Sequence, residues 1–418
     1  MAKLRIKNFG PITEGFLASD GFITFDKYTL FIGDQGTGKS TVAKMYSVCS
    51  WLEKAFFRGD YTVDTFEVLD FEELCRNQLL ENSFNKNTEL EYVGDAYHFL
   101  YKDSVFFAEE QIETISSYER PKIMYIPSER NILSVVKNVE ELDNLPPMLR
   151  LLRRRYLQAN EHLIGKGEFT LPLSGYTAFV NKTNGETFIK DKKNNKSVPL
   201  ICASSGLQSI VPLSLVTGYL AWYSTTNMLD RIRVLNDKTY EQLKSTLSNE
   251  EALSELERYV TSGITKTVSD KSLSEIKESS RKYINSFFLN IVEEPEQNLF
   301  PDSQMKNLYY LLDAANVNEK NSIVITTHSP YILSNITLAA KAKELLDKGV
   351  SSEKIKNIVP LESVIDGKKV SIYETQRDGA IKKLESFNNL PSDNNLLNNA
   401  MAQGNNLFSD LIDLEQEF

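Results

Sequence analysis

Tyr28-Thr29-Leu30-Phe31-Ile32-Gly33-Asp34-Gln35-Gly36-Thr37-Gly38-Lys39-Ser40-Thr41 decides how this chain is read. A compact apolar run leads straight into a loop with three glycines. From Thr41 to Lys54 the apolar residues Val42, Met45, Tyr46, Cys49 and Leu52 then recur at helical spacing. Strand, glycine loop and helix are the setting in which Gly-x-x-x-x-Gly-Lys-Ser is a P-loop. Roughly three or four phosphate charges must be met by backbone N–H groups, and close approach needs residues without a Cβ. The helix that follows aims its positive end at those phosphates. Gly33, Asp34, Gln35, Gly36, Thr37, Gly38, Lys39, Ser40 and Thr41 are therefore the candidate residues for ATP. Lys39 reaches the β- and γ-phosphates, and Ser40 offers its hydroxyl to Mg²⁺.

Two further stretches complete a hydrolytic set. Phe287 to Val292 is an apolar strand that delivers Glu293 and Glu294 to its carboxyl end. Neighbouring side chains on a strand point to opposite sides, but the two carboxylates can converge where the strand breaks into a loop. Glu293 is the expected metal ligand and Glu294 the residue that polarises the attacking water. Aspartate is commoner at the metal position, so Glu293 departs from the usual pattern. His328, one of three histidines, ends the β-branched run Asn321–Thr327 and precedes Ser329-Pro330. It is the candidate sensor of the terminal phosphate.

Ser204-Ser205-Gly206 opens a second helix. Serine hydroxyls and free N–H groups at a helix start form an anion site. The chain's own P-loop already serves one nucleotide, so Ser204, Ser205 and Gly206 are expected to cap the nucleotide of another subunit.

The surrounding sequence bounds the class. The 418 residues are 41% hydrophobic and 25% charged, the balance of a globular protein, with a formal charge of -10. That charge argues against direct nucleic-acid binding, although Arg150, Arg153, Arg154 and Arg155 form one local basic run. Cys49, Cys75 and Cys202 form no CxxC, which suggests neither a disulfide framework nor zinc and fits a reducing cytosol. Ile201 to Leu229 carries no charge and is long enough to span a bilayer. Its hydroxyls and Pro212 favour a buried helix, so the expectation is a cytoplasmic protein without a membrane contact.

The chain divides into an N-terminal part of the core with the P-loop (1–60) and a mostly helical insertion with a core strand near 122–127 (61–167). A β-meander and the serine-led helix follow (168–235), with Asn184-Gly185 as the hairpin turn. A polar helical segment covers 236–282. The carboxylate strand, the histidine and the end of the core cover 283–375, and an Asn-rich acidic tail covers 376–418. The tail is expected to be mobile or ordered only against a partner.

In this order the motifs resemble the ATP-binding-cassette class of ATPases, in the soluble branch shared with SMC, RecF and OLD proteins. Leu4-Arg5-Ile6-Lys7-Asn8-Phe9-Gly10-Pro11-Ile12, Ser204-Ser205-Gly206, Glu294-Pro295-Glu296-Gln297-Asn298-Leu299 and Thr327-His328-Ser329-Pro330 are similar to the AAA-domain defence ATPases of prokaryotes, notably those of PARIS anti-phage systems. The resemblance implies an α/β fold: an ABC-ATPase core with a mixed β-sheet, an antiparallel β subdomain and helical insertions. It implies a homo-oligomer that hydrolyses ATP between subunits, with Ser205 and Gly206 acting in trans. It also implies a separate Toprim-like effector nuclease and a phage-encoded trigger. A glutamine of a metal-coordinating loop belongs to the class, and Gln111 is its candidate here; Arg130 falls near the site by order. A repair ATPase of the RecF or SMC kind is the alternative, but the long coiled-coil arms of the SMC type and a CxxC hook are missing. A Toprim nuclease in the same chain would need an Asp-x-Asp cluster after Glu344, and none follows. A transporter ATPase fits the insertions and the Glu294-Pro295-Glu296 run poorly.

Overall fold

A computed structural model describes residues 2–416, apart from 138, 182, 184 and 263–267. In chain order the elements begin with β1 (Lys3–Lys7), β2 (Gly15–Phe16), β3 (Phe22–Thr24), β4 (Tyr28–Gly33), α1 (Lys39–Arg58) and α2 (Val68–Arg76). Then come β5 (Glu89–Val93), β6 (Tyr97–Lys102), β7 (Val105–Glu110), β8 (Pro121–Ile126) and α3 (Pro147–Lys166). A meander of β9 (Phe169–Thr170), β10 (Tyr176–Val180), β11 (Thr187–Asp191) and β12 (Lys196–Pro199) precedes α4 (Ser205–Thr225). Four helices follow: α5 (Met228–Arg233), α6 (Asp237–Ser245), α7 (Glu250–Ser262) and α8 (Asp270–Ser280). The last part holds β13 (Phe287–Glu293), α9 (Pro301–Asn316), β14 (Ser322–Thr327), α10 (Pro330–Asp347) and α11 (Ser352–Lys356). It continues through β15 (Val370–Thr375), β16 (Ala380–Lys383), β17 (Ser386–Phe387), β18 (Leu390–Pro391) and α12 (Leu396–Gln416).

The main sheet runs β2-β16-β15-β4-β14-β13-β8. Its five strands from β15 to β8 are parallel, while β16 pairs antiparallel with β15. Tyr28 to Gly33 is buried at every position, because helices cover both faces of a parallel sheet. Full burial of a side chain such as Leu30 or Ile32 contributes about 1.5–3 kcal/mol. A second, antiparallel sheet has the order β3-β1-β5-β6-β7. The fold is thus α/β, with a mixed sheet, antiparallel β-sheets and helical insertions.

Two expectations need correction. Residues 61–167 supply three strands to the antiparallel sheet and are not mostly helical. The run Leu90–Phe99 is two strands and a turn, because Gly94 passes so close to α1 that a Cβ there would lie 2.1 Å from Glu53 Oε1. Glu53 is buried and accepts hydrogen bonds from Ala96 N–H (2.7 Å) and Tyr92 OH (2.8 Å), which ties α1 to that turn. The tail, finally, carries β16 to β18 and then a 21-residue helix, Leu396–Gln416, of which no residue is buried.

The uncharged stretch resolves as α4, buried along most of its length, and no helix among the described residues is long and apolar enough to cross a membrane. In the meander β10 pairs with β11 as expected, and Gly185 takes a positive φ of 70°; Asn184 lies outside the described residues.

Candidate functional site

The three central parallel strands β4, β14 and β13 end side by side, which brings the glycine loop, His328 and the carboxylate pair to one edge. Gly33 ends β4 with φ 151°, and a Cβ there would sit 2.4 Å from Thr375 Oγ1 on β15. Gly38 (φ 98°) precedes α1, and a Cβ there would meet Ile12 at 2.3 Å. These positions admit only glycine, for the conformation and for the space. No side chain caps α1, so its first N–H groups are free to face an anion. Thr37 Oγ1 bonds Asp34 C=O at 2.7 Å and Thr375 Oγ1 at 2.6 Å, fixing the loop's shape.

Lys39 Nζ lies 3.0 Å from Gly33 C=O and 2.8 Å from Asp34 C=O. Burial lowers its pKa to about 8, against the opposing pull of Glu294, Asp34, Glu296 and Glu293. The same ammonium is 3.5 Å from His328 Nδ1, and His328 Nε2 is 3.5 Å from Glu294 Oε1. Lys39, His328 and Glu294, named from three separate motifs, thus form one line. Burial and then Lys39 hold the imidazole below its ordinary pKa. A neutral ring there can accept at one nitrogen and donate at the other.

The adjacent carboxylates do not converge on one point as expected. Glu294 adopts φ 42°, which turns its side chain towards His328. Glu293 keeps strand geometry and points sideways, where Tyr125 OH and Ser128 N–H (3.1 Å) donate to its two oxygens. Both still act electrostatically on Lys39.

Mg²⁺ usually keeps several waters and takes few protein ligands besides phosphate oxygens. Among the described residues no cluster of three or more His, Cys, Asp or Glu forms a dedicated cage. Of the two expected donors, Glu293 already accepts from Tyr125 OH and Ser128 N–H at its two oxygens.

Ser204 is the N-cap position of α4, and no side chain caps the helix. Ser204 and Ser205 are exposed, and no hydrogen bond joins them to residues 33–41 of the same copy among the described residues. Gly206 packs on the loop after β13, where a Cβ would lie 2.8 Å from Asn298 C=O.

Several residues escaped role assignment from sequence. Glu296 is partly buried, and its desolvation raises its pKa; its Oε1 accepts from Thr327 Oγ1 (2.6 Å) and His328 N–H (2.9 Å). Arg377 Nε donates to Asp34 Oδ2 at 2.8 Å and holds that carboxyl below its ordinary pKa. Arg130, placed by order alone, is fully buried. It donates to Glu293 C=O (2.7 Å), Glu294 C=O (2.8 Å), Ser209 C=O (3.1 Å) and Pro127 C=O (3.3 Å). Gln111 is misplaced for a metal loop. Its N–H bonds Ala96, which sits on Glu53. Along α1 that is about 21 Å from Lys39.

No protein-family model matches the chain, and no curated protein matches it. Among solved structures it is similar to an Smc head bound to the C-winged-helix domain of ScpA. That match has 9% identity and a TM-score of 0.39, and covers 91% of this chain and 96% of the other. It is also similar to an SMC head domain from Thermotoga maritima (11%, TM-score 0.37, 92% and 98%). A third is an Smc head with an extended coiled coil, bound to the C-terminal domain of ScpA, from Pyrococcus furiosus (11%, TM-score 0.36, 92% and 96%). Such values assign neither an activity nor a partner to this chain.

Proposed function

We propose that the protein is an ABC-type ATPase that hydrolyses ATP between two copies of itself. The alignment of Lys39, His328 and Glu294 at the edge of the parallel sheet carries this reading. The free N–H groups of α1 and the Lys39 ammonium bind the β- and γ-phosphates, with Ser40 and Thr41 beside them. Ser40 and Glu293 would hold Mg²⁺, which would neutralise charge on the phosphate oxygens. Glu294 orients the attacking water and accepts its proton, and His328 contacts the γ-phosphate. Ser204 and Ser205 are exposed and, among the described residues, no hydrogen bond joins them to the P-loop of their own copy; Ser205 and Gly206 meet the γ-phosphate held by the other copy.

Within that class the sequence resembles most the AriA ATPase of PARIS systems. The biological role we infer is a sensor and scaffold that restrains a separate Toprim-like nuclease until a phage protein is met. The acidic balance of the chain supports protein partners over nucleic acid.

Glu294→Gln keeps the shape and removes the base. It should bind ATP with Mg²⁺, form a stable pair of copies and turn over at least about a hundredfold more slowly. Sedimentation with ATP and a phosphate-release assay read both effects. Normal turnover in this variant sinks the assignment of Glu294. Tight duplex-DNA binding with stimulated turnover would move the protein to a repair role.

A further inference from the structure

We propose that α12 is an association helix that pairs antiparallel with α12 of a second copy. The helix is about 30 Å long. None of its 21 residues is buried. Leu407, Phe408, Leu411 and Leu414 are each 56–65% exposed. Gly404 in its middle costs about 1 kcal/mol relative to alanine, and most helical stability in proteins comes from the packing of an apolar face.

The spacing of that face points to a helix as the occupant. Leu397, Ala400, Gly404, Leu407, Leu411 and Leu414 follow one another at intervals alternating between three and four, the seam of a helix pair. Past Leu397, which touches the core, the seam is small at Ala400 and Gly404 and bulky at Leu407, Leu411 and Leu414. An antiparallel second copy lays its Leu411 on Ala400 and its Leu407 on Gly404, so that these two bulky residues each meet a small one, while its Leu414 falls opposite Leu397. A parallel copy sets Gly404 against Gly404 and leaves a gap.

Charge selects the same direction. The ionised groups of α12 are Asp410, Asp413 and Glu415, all acidic and all in its last two turns. In a parallel pair Asp410 of one helix flanks Glu415 of the other across the seam, which repels. In the antiparallel pair Asp410 lies near the neutral Gln403. The contact is self-complementary, as a two-fold interface requires. At its root, Leu397 packs on the core and Leu396 N–H bonds Glu374, next to the Thr375 that abuts Gly33. The pairing needs no nucleotide, so it stands or falls apart from the ATPase reading.

The test is sedimentation of the full chain, free of nucleotide, over a concentration series. A concentration-dependent dimer is expected. Leu411→Asp should weaken it by roughly tenfold or more, because it places a charge in the seam. Gly404→Leu fixes the direction: it clashes with Leu407 of an antiparallel copy and weakens association, whereas it fills the gap of a parallel pair and strengthens it. A chain that stays monomeric overturns the proposal, as does a dimer indifferent to Leu411→Asp. Stronger association of Gly404→Leu overturns the antiparallel direction. Both substituted positions are exposed, and an unchanged circular-dichroism melt of the core shows that folding is intact.

Discussion

At the scale of single residues, Arg130 does the most with one side chain. Its guanidinium is fully buried and, among the described residues, forms no ion pair with a carboxylate; four backbone carbonyls hold it, two of them those of Glu293 and Glu294 and one on α4. Lysine keeps the charge but lacks the fork that reaches several acceptors at once. Arg130→Lys should therefore leave ATP affinity within about threefold and lower kcat by roughly tenfold or more. Nucleotide titration beside steady-state kinetics checks this; a loss confined to affinity contradicts it. Lys39, Glu294 and His328 were legible because each sits in a short motif with a chemical rationale. Arg130, Glu296 and Arg377 act through contacts between segments far apart in sequence, for which spacing gives no sign. The divergence of Glu293 and Glu294 was hidden for another reason: it rests on the positive φ of Glu294, which strand alternation does not foretell.

At the scale of elements, the strand–loop–helix unit and the buried strands were readable because apolar runs and helical spacing are local signals. The antiparallel sheet was less so. Gly94 reads as an interior strand residue until Glu53, some forty positions earlier, is seen to need its space. Glu53 also sets a pH dependence. Burial, opposed mainly by the Ala96 and Tyr92 hydrogen bonds, raises its pKa from 4.5 to about 7. A raised carboxyl pKa means that the folded state holds the proton more tightly. The resulting stability is complete below about pH 4.5 and disappears as pH climbs through about 7. Glu53→Gln mimics the protonated form. Its melting temperature relative to the parent should rise steadily between about pH 5 and pH 8. A difference that stays flat across that range, measured by calorimetry, would show that Glu53 does not titrate there.

At the scale of the whole molecule, the apolar interior falls into two clusters. The larger runs through both main sheets and their helices. The smaller lies among α5 to α8, with Ile232, Leu243, Leu256 and Ile276 at its centre. Arg231 fastens it to the main body through Asn285 C=O at 2.8 Å and Ser224 C=O at 2.9 Å. A small core has less to lose on opening, so amides of α7 and α8 should exchange with solvent at lower opening free energy than those of β4 and β13. Native-state hydrogen exchange decides this, and equal opening energies in both regions would mean one cooperative unit.

The Arg130 clamp has a mechanical corollary. A planar group gripping the tip of β13 on one side and the first turns of α4 on the other makes the two a single stiff lever. One side chain thus separates the first turns of α4 from the Glu294 peptide, a path of two hydrogen bonds through a single guanidinium.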